Sequence, residues 1–402
     1  MCTHMLFHAP INPGQDTQFH VSARVMELPG FSGFTLYKVP KGRAFPLVPH
    51  AVKNAAKWVN AYGFVGIAPP RPEFDLFPIF CDGLNEEGLS CAALWMPGAG
   101  YPAPGNGENV FFGEFVAWVL GNFKRVKDLE RTLRSGEVGV YGPASGEKLY
   151  IPLHFIAADS TGAAVVVECM NGVMNVYGEE YELQHRGGLG TTAAGVLTNA
   201  PSYDWQRTNI TYYGNFTAIG AETSRTQTYP PTCMGLVGLP GDPSSPSRFV
   251  RAAFMQHTFS QLARNGDGWL PAPQRSGSPV FGDKPYSSPV QTVVNVALQT
   301  AQLVMATPYG SLLSESKQDA KNEGSSGQTP QVGDWSYWTV VRDHTNNTYY
   351  YTSAFNNLLQ RIELRALSFD DDVQMPHFRS ISVIPPARND WFQDASESFK
   401  NA

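Results

Sequence analysis

The chain has 402 residues and a formal net charge of −6 at pH 7, with 42% hydrophobic, 12% aromatic and only 16% charged residues. That apolar share supplies a sizeable core, whereas an acidic balance with no cluster of Lys or Arg excludes a nucleic-acid binder, which needs cations to meet phosphates. The expected partner is a small molecule. No run approaches the ~18 apolar residues of a membrane span, and the first residues lack the basic-then-apolar pattern of a secretion signal. With Met1 as the native start the protein is expected in the cytoplasm; a mature form carrying an added Met would be periplasmic or secreted.

At the N-terminus, Met1-Cys2-Thr3 places a thiol one residue behind the initiator. Removal of Met1 would leave Cys2 with a nucleophilic sulfur and a free α-amine that can act as its base. The two groups titrate within about a unit of each other, so the proton passes between them at little cost. The same letters also describe an ordinary loose terminus. Ala23-Arg24-Val25-Met26-Glu27 follows, a permanent cation and a carboxylate three positions apart. Beside the sulfur, Arg24 would favour the thiolate and Glu27 would hold the ammonium; on a surface the two would form an ion pair of little worth.

Strand character dominates the next stretch, with apolar, β-branched or aromatic runs at Phe34–Val39, Val59–Ile67, Leu89–Met96, Tyr150–Ala158 and Ala163–Cys169. Asp159-Ser160-Thr161-Gly162 joins the last two as a hairpin turn. Three- and four-residue apolar spacing predicts helices over Phe111–Leu120, Val126–Leu133, Arg248–Leu262 and Val290–Met305. Between them, the apolar run Val196–Thr198 meets Asn199 and Pro201, so the strand must stop with Asn199 at its end. An amide there can donate to a developing oxyanion, and Asn before a turn is also commonplace.

The Pro- and Gly-rich segment Gly238–Phe249 delivers Ser244, Ser245 or Ser247 as a helix N-cap, with Arg248 in the first turn. The helix dipole disfavours a cation at that end, so Arg248 is expected to face an anion, either in a site or simply Asp242. Gly310–Asp334, rich in Ser, Gly, Gln, Lys and Glu, reads as a mobile surface insertion. A hairpin of Trp335–Asp343 and Thr348–Thr352 and a strand at Gln360–Ala366 close the pattern. With no internal repeat, residues 1–402 read as one domain. Antiparallel strands and helices in separate blocks make it α+β, with stacked sheets covered by helices.

The five cysteines, Cys2, Cys81, Cys91, Cys169 and Cys233, include no pair at metal-ligand spacing. Cys81 and Cys91 flank a turn and are either a bridge or core thiols. His154, on an apolar run, reads as a core histidine, and Asp370-Asp371-Asp372 as a solvated acidic turn without EF-hand spacing.

Taken together these segments resemble the choloylglycine hydrolases and penicillin V acylases, a branch of the N-terminal nucleophile hydrolases. The likeness rests on Met1-Cys2-Thr3, Ala23–Glu27, Trp58 to Gly66 and Cys81–Leu89. It continues through Leu94–Gly98, Val167-Glu168, Leu197–Pro201 with Tyr203-Asp204-Trp205, and Leu239–Phe249, in the family's order. The resemblance implies a four-layer αββα sandwich and hydrolysis of linear amides without a cofactor or metal. It implies that Cys2 is nucleophile and base, that Arg24 lies beside the thiol, and that Glu27, where the family usually has Asp, holds the α-amine. Asn199 and the backbone amide of Trp95 would form the oxyanion hole, and Arg248 would stabilise transition-state charge. Trp95 looks like the Gram-negative acylase branch and offers an apolar face to a phenoxyacetyl or fatty acyl group. Penicillin V or N-acyl homoserine lactones are therefore the expected substrates; conjugated bile salts are the alternative, ahead of N-acylethanolamine-like lipids or a non-catalytic binding module. The family commonly forms homotetramers, and extra length relative to it falls at Met174–Thr192 and Asn265–Asp334.

Overall fold

The computed structural model describes residues 2–10, 18–28, 33–46, 52–69, 78–147, 149–184, 194–213, 238–264, 289–305, 335–371, 373 and 378–383. The proposed insertion at 310–334 and Cys233 lie outside the described residues. The chain opens with two long strands, β1 (Cys2–Pro10) and β2 (Gln18–Leu28), followed by β3 (Thr35–Val39), β4 (Ala44–Phe45), β5 (Trp58–Val59) and β6 (Phe64–Ala68). Strands β7 (Asp82–Asn85), β8 (Ser90–Trp95) and β9 (Glu108–Phe111) lead into helices α1 (Phe115–Asn122) and α2 (Val126–Arg134). After β10 (Val138–Tyr141), β11 (Leu153–Ala158), β12 (Ala164–Met170) and β13 (Val173–Tyr177) come α3 (Glu179–Gln184), α4 (Tyr203–Asn209), α5 (Ser245–Arg264) and α6 (Pro289–Gln302). The described chain closes with β14 (Trp335–Asp343), β15 (Thr348–Ser353), β16 (Asn356–Glu363) and β17 (Arg379–Ser382).

Among the described residues, one antiparallel sheet runs β1-β2-β14-β15-β16 and a larger one runs β13-β12-β11-β8-β7-β6-β3-β17. Because side chains alternate along a strand, the larger sheet feeds two cores. Val65, Ile67, Ala92, Leu94 and Ile156 share a core with Met26, Trp338 and Val340 of the smaller sheet, whose opposite face sends Phe7 against Phe259 of α5. Their neighbours Phe64, Cys91, Ala93, Phe155 and Ala157 pack on Phe115, Trp118 and Leu129 of α1 and α2. Helix α5 lies along β1, and α6 along β2 and β14. The layers therefore run helix, sheet, sheet, helix, the four-layer αββα sandwich expected from the sequence.

Most strands and helices fall where the sequence places them, including the β11–β12 hairpin with Gly162 at φ +82° in its turn. Strands β1 and β2 are the main omission. Both are covered on one face by helices and on the other by the second sheet, so nearly every position from Phe19 to Met26 is buried, although Gln18–Val25 alternates polar and apolar residues, a strand signal left unread. The expected strand at Gln360–Ala366 begins earlier, at Asn356, and gives way to a 3-10 turn over Leu364–Ala366. Cys81 and Cys91 are buried free thiols, not a bridge.

The stacked sheets enclose polar groups as well. His344 is fully buried, its Nδ1 3.0 Å from the Gly88 carbonyl and its Nε2 2.8 Å from Ser22 Oγ. Nδ1–H donates to the carbonyl and the serine hydroxyl donates to Nε2, which describes a neutral ring. Burial, with Arg342 nearby, pushes its pKa down to about 3. The folded state therefore refuses a proton that the unfolded chain accepts near pH ~6.5. Stability from this group is fully present above that value and declines as pH falls toward 3, by up to about 1.4 kcal/mol per pH unit. Urea midpoints are expected to drop between pH 7 and pH 4, and less steeply in His344→Asn, whose amide can still donate to Gly88; parallel slopes in the two proteins would count against the assignment.

Candidate active site

Strand register brings the first predicted residues together. Cys2 pairs with Met26 and His4 with Arg24, so Cys2, Met26 and Arg24 project from one face of the β1–β2 ribbon. Met26 Sδ lies 3.4 Å and Arg24 Nη2 3.8 Å from Cys2 Sγ. The guanidinium is held in place by the Asp82 carboxylate at 3.1 Å, the Ala93 carbonyl at 2.5 Å and the Cys81 carbonyl. Asp82 is itself gripped by Arg342 Nη1 at 3.0 Å and Tyr349 Oη at 2.7 Å. Burial opposes the Arg24 charge, but Cys2, Asp82 and Cys81 outweigh it and hold its pKa above the ordinary value.

Cys2 is buried, as Cys81, Cys91 and Cys169 are. It is 2% exposed. Burial pushes the Cys81 and Cys169 thiols up to about 12 and raises Cys91 too, which keeps all three protonated.

The second group arrives on the segment before α4. The strand expected over Val196–Thr198 is not formed; Leu197 makes an isolated antiparallel bridge with His4, with N to carbonyl oxygen distances of 2.7 and 3.0 Å, which lays this segment beside Cys2. Asn199 Oδ1 then accepts from Cys2 N at 2.8 Å and from Arg248 Nη2 at 2.8 Å, while Nδ2 donates to the Trp95 carbonyl at 2.5 Å. Two donors at one end and an acceptor at the other fix the orientation of the amide. Its backbone N–H donates to Ser245 Oγ at 2.9 Å. Met96 N–H reaches the Pro152 carbonyl at 2.8 Å, which makes Trp95 and Leu153 a non-hydrogen-bonded pair. The Trp95 N–H therefore points to the same edge of β8 as the carbonyl that Asn199 engages. The indole is 42% exposed.

Arg248 sits in the first turn of α5, as expected, and 1% exposed. Nη1 donates to the Cys2 carbonyl at 2.6 Å and to Thr3 Oγ1 at 2.5 Å, and Nε to the Pro243 carbonyl at 2.9 Å. The carboxylate it faces is Glu27, 3.9 Å away, rather than Asp242. Asp242 instead accepts from Ser244 and Ser247 ahead of the helix, which lowers its pKa to about 2. Glu27 Oε1 accepts from Ser336 Oγ at 3.1 Å. Arg24 and Glu27 are both fully buried and turn to different partners, so the surface ion pair does not form.

All six predicted residues thus lie around Cys2 and Asn199. Sequence reading passed over Asp82 and Ser336 and took Ser245 only as a candidate helix cap; all three brace them.

The model of the choloylglycine hydrolase family of linear amide C–N hydrolases matches residues 11–268. The chain is 33% identical over 201 residues to a bile salt hydrolase/transferase of Clostridium perfringens (strain 13 / Type A), a match covering 46% of this chain and 54% of that one. It therefore spans about half the length of that relative. It is 23% identical over 373 residues to a penicillin V acylase of Pectobacterium atrosepticum, covering 92% of this chain and 82% of the acylase. A crystal structure of a mutant conjugated bile acid hydrolase from Clostridium perfringens shares the fold with a TM-score of 0.65 at 21% identity, over 95% of this chain and 96% of that one.

Proposed function

The chain belongs to the choloylglycine hydrolase family of linear amide C–N hydrolases, and we propose that it hydrolyses N-acyl amides with Cys2 as nucleophile. The family match begins after Cys2, so the role of the thiol rests on its surroundings. The observation that carries it is the convergence on one residue: Arg24 at its sulfur, Asn199 at its nitrogen and Arg248 at its carbonyl.

With Met1 attached, the Cys2 nitrogen is a peptide N–H. Removal of Met1 makes it an amine that takes the thiol proton as the sulfur attacks the acyl carbonyl. Glu27 and Asn199 Oδ1 would then hold the resulting ammonium. The oxyanion would receive hydrogen bonds from the second N–H of Asn199 Nδ2 and from the Trp95 amide. Arg24 stabilises the sulfur anion, and Arg248 fixes the Asn199 carbonyl end and adds positive potential. Collapse expels the amine, which leaves with the proton held on nitrogen. Water then attacks the thioester, loses a proton to the Cys2 amine, and releases the acid and the thiol.

The acyl group is expected to be apolar, as in penicillin V or an N-acyl homoserine lactone, because Trp95, whose backbone carbonyl receives the Asn199 amide, carries a large apolar side chain that is 42% exposed. The likeness to the bile salt hydrolase/transferase favours a second reading, cleavage of conjugated bile salts. Intact mass followed by a release assay separates them. Purified protein lacking Met1 should turn over penicillin V and an acyl homoserine lactone faster than glycocholate. Preference for glycocholate would move the chain to the second reading, and full turnover with Met1 still attached would sink the amine-as-base mechanism.

A further inference from the structure

The histidine read as mere core is placed behind the residue that organises the site. His154 on β11 and Glu168 on β12 are both 0% exposed and lie on the inter-sheet face, with His154 Nδ1 2.8 Å from Glu168 Oε1. The other ring nitrogen, Nε2, lies 2.9 Å from the carbonyl of Thr198, the residue before Asn199. A carbonyl only accepts, so Nε2 carries a hydrogen and donates it. Glu168 also accepts the Tyr203 N–H, at 3.2 and 3.0 Å from its two oxygens, at the first residue of α4. The pair therefore anchors the chain at both ends of Asn199–Ser202. On the next strand, β8, Trp95 stands opposite Leu153, the neighbour of His154, and receives the Asn199 amide.

From this arrangement we infer that His154 and Glu168 are positioning residues that set the reach of Asn199 toward the reacting carbonyl. Neither touches the sulfur or the substrate. His154 pins the Thr198 carbonyl, Glu168 orients the ring and the helix start, and the Asn199 side chain is left at one distance from Cys2. An oxyanion donor displaced by about 1 Å loses roughly 10²-fold in rate. The inference rests on the Cys2 reading above, with Asn199 as a donor.

The test compares His154→Leu, which removes both ring nitrogens, with His154→Gln, whose amide nitrogen reaches the position of Nε2. Each is assayed on whichever of penicillin V, acyl homoserine lactone and glycocholate the parent turns over fastest, and Cys2 is alkylated with iodoacetamide in parallel. In His154→Leu, kcat is expected to fall about 100-fold with KM within about threefold of the parent. His154→Gln should recover to within about fivefold, and alkylation of Cys2 should proceed at the parent rate in both, because Arg24 and Met26 are untouched. Unchanged kcat in His154→Leu, equal losses in the two variants, or collapse of Cys2 alkylation would each overturn the inference. A Cys2→Ser chain that keeps parental turnover would instead sink the underlying reading, so the two failures are distinguishable.

Discussion

A Cys2→Ala chain is expected to fold normally and to lose at least about 10⁴-fold in turnover on any amide the parent cleaves, the scale seen when a nucleophile is removed from an assembled site. The fold should tolerate the change because the sulfur contributes little burial: its loss from a site 2% exposed costs on the order of 1 kcal/mol. The neighbours are braced independently. Arg24 keeps Asp82 and the Ala93 carbonyl, and Arg248 keeps Asn199 and Thr3. Thermal unfolding and turnover measured on the same preparation check both halves. Parental turnover in the folded variant would show that the chemistry lies elsewhere in the molecule.

Asn199→Ala is expected to lower kcat by about 10²- to 10³-fold, as removal of one oxyanion donor does, and to reduce stability as well. Its side chain joins three elements: it accepts from Cys2 on β1 and Arg248 on α5, and donates to Trp95 on β8. Without it, Arg248, 1% exposed, loses a charge-assisted hydrogen bond worth about 1.5–3 kcal/mol. Asn199→Asp distinguishes donation from mere filling of space. It is nearly isosteric and keeps an acceptor for Cys2 and Arg248, but its second oxygen would face the Trp95 carbonyl with no hydrogen between them. We expect it to be impaired at least as severely as the alanine variant. If Asn199→Asp turned over substrate at the parental rate, the amide would not be a donor to the oxyanion.

The two variants also separate roles within the site. Cys2→Ala should leave the hydrogen bonds of Asn199 to Trp95 and Arg248 in place, so a ligand that needs only the pocket should still bind. Asn199→Ala should leave the thiol beside Arg24, so alkylation of Cys2 should persist while turnover falls. Opposite behaviour would mean that Arg24 does not control the sulfur.

Much of the molecule is written locally. A thiol behind the initiator, an Asn two residues before Pro201, an Arg against the dipole of α5 and the turn at Asp159–Gly162 are all set by short-range backbone chemistry, and the sequence alone determined them and the α+β class. Of the strands that carry Cys2 and Arg24, the second was legible but left unread, since Gln18–Val25 alternates polar and apolar residues; in the first, burial on both faces lets the run Met5-Leu6-Phe7 blur the alternation. The partners of the charged residues were not legible. Asp242 is close to Arg248 in sequence, yet Glu27 faces it in space; Arg24 takes Asp82, and His154 takes Glu168 and Thr198. Only the tertiary structure decided these pairings, since strand register and the stacking of two sheets, not spacing along the chain, determine which buried donor meets which acceptor.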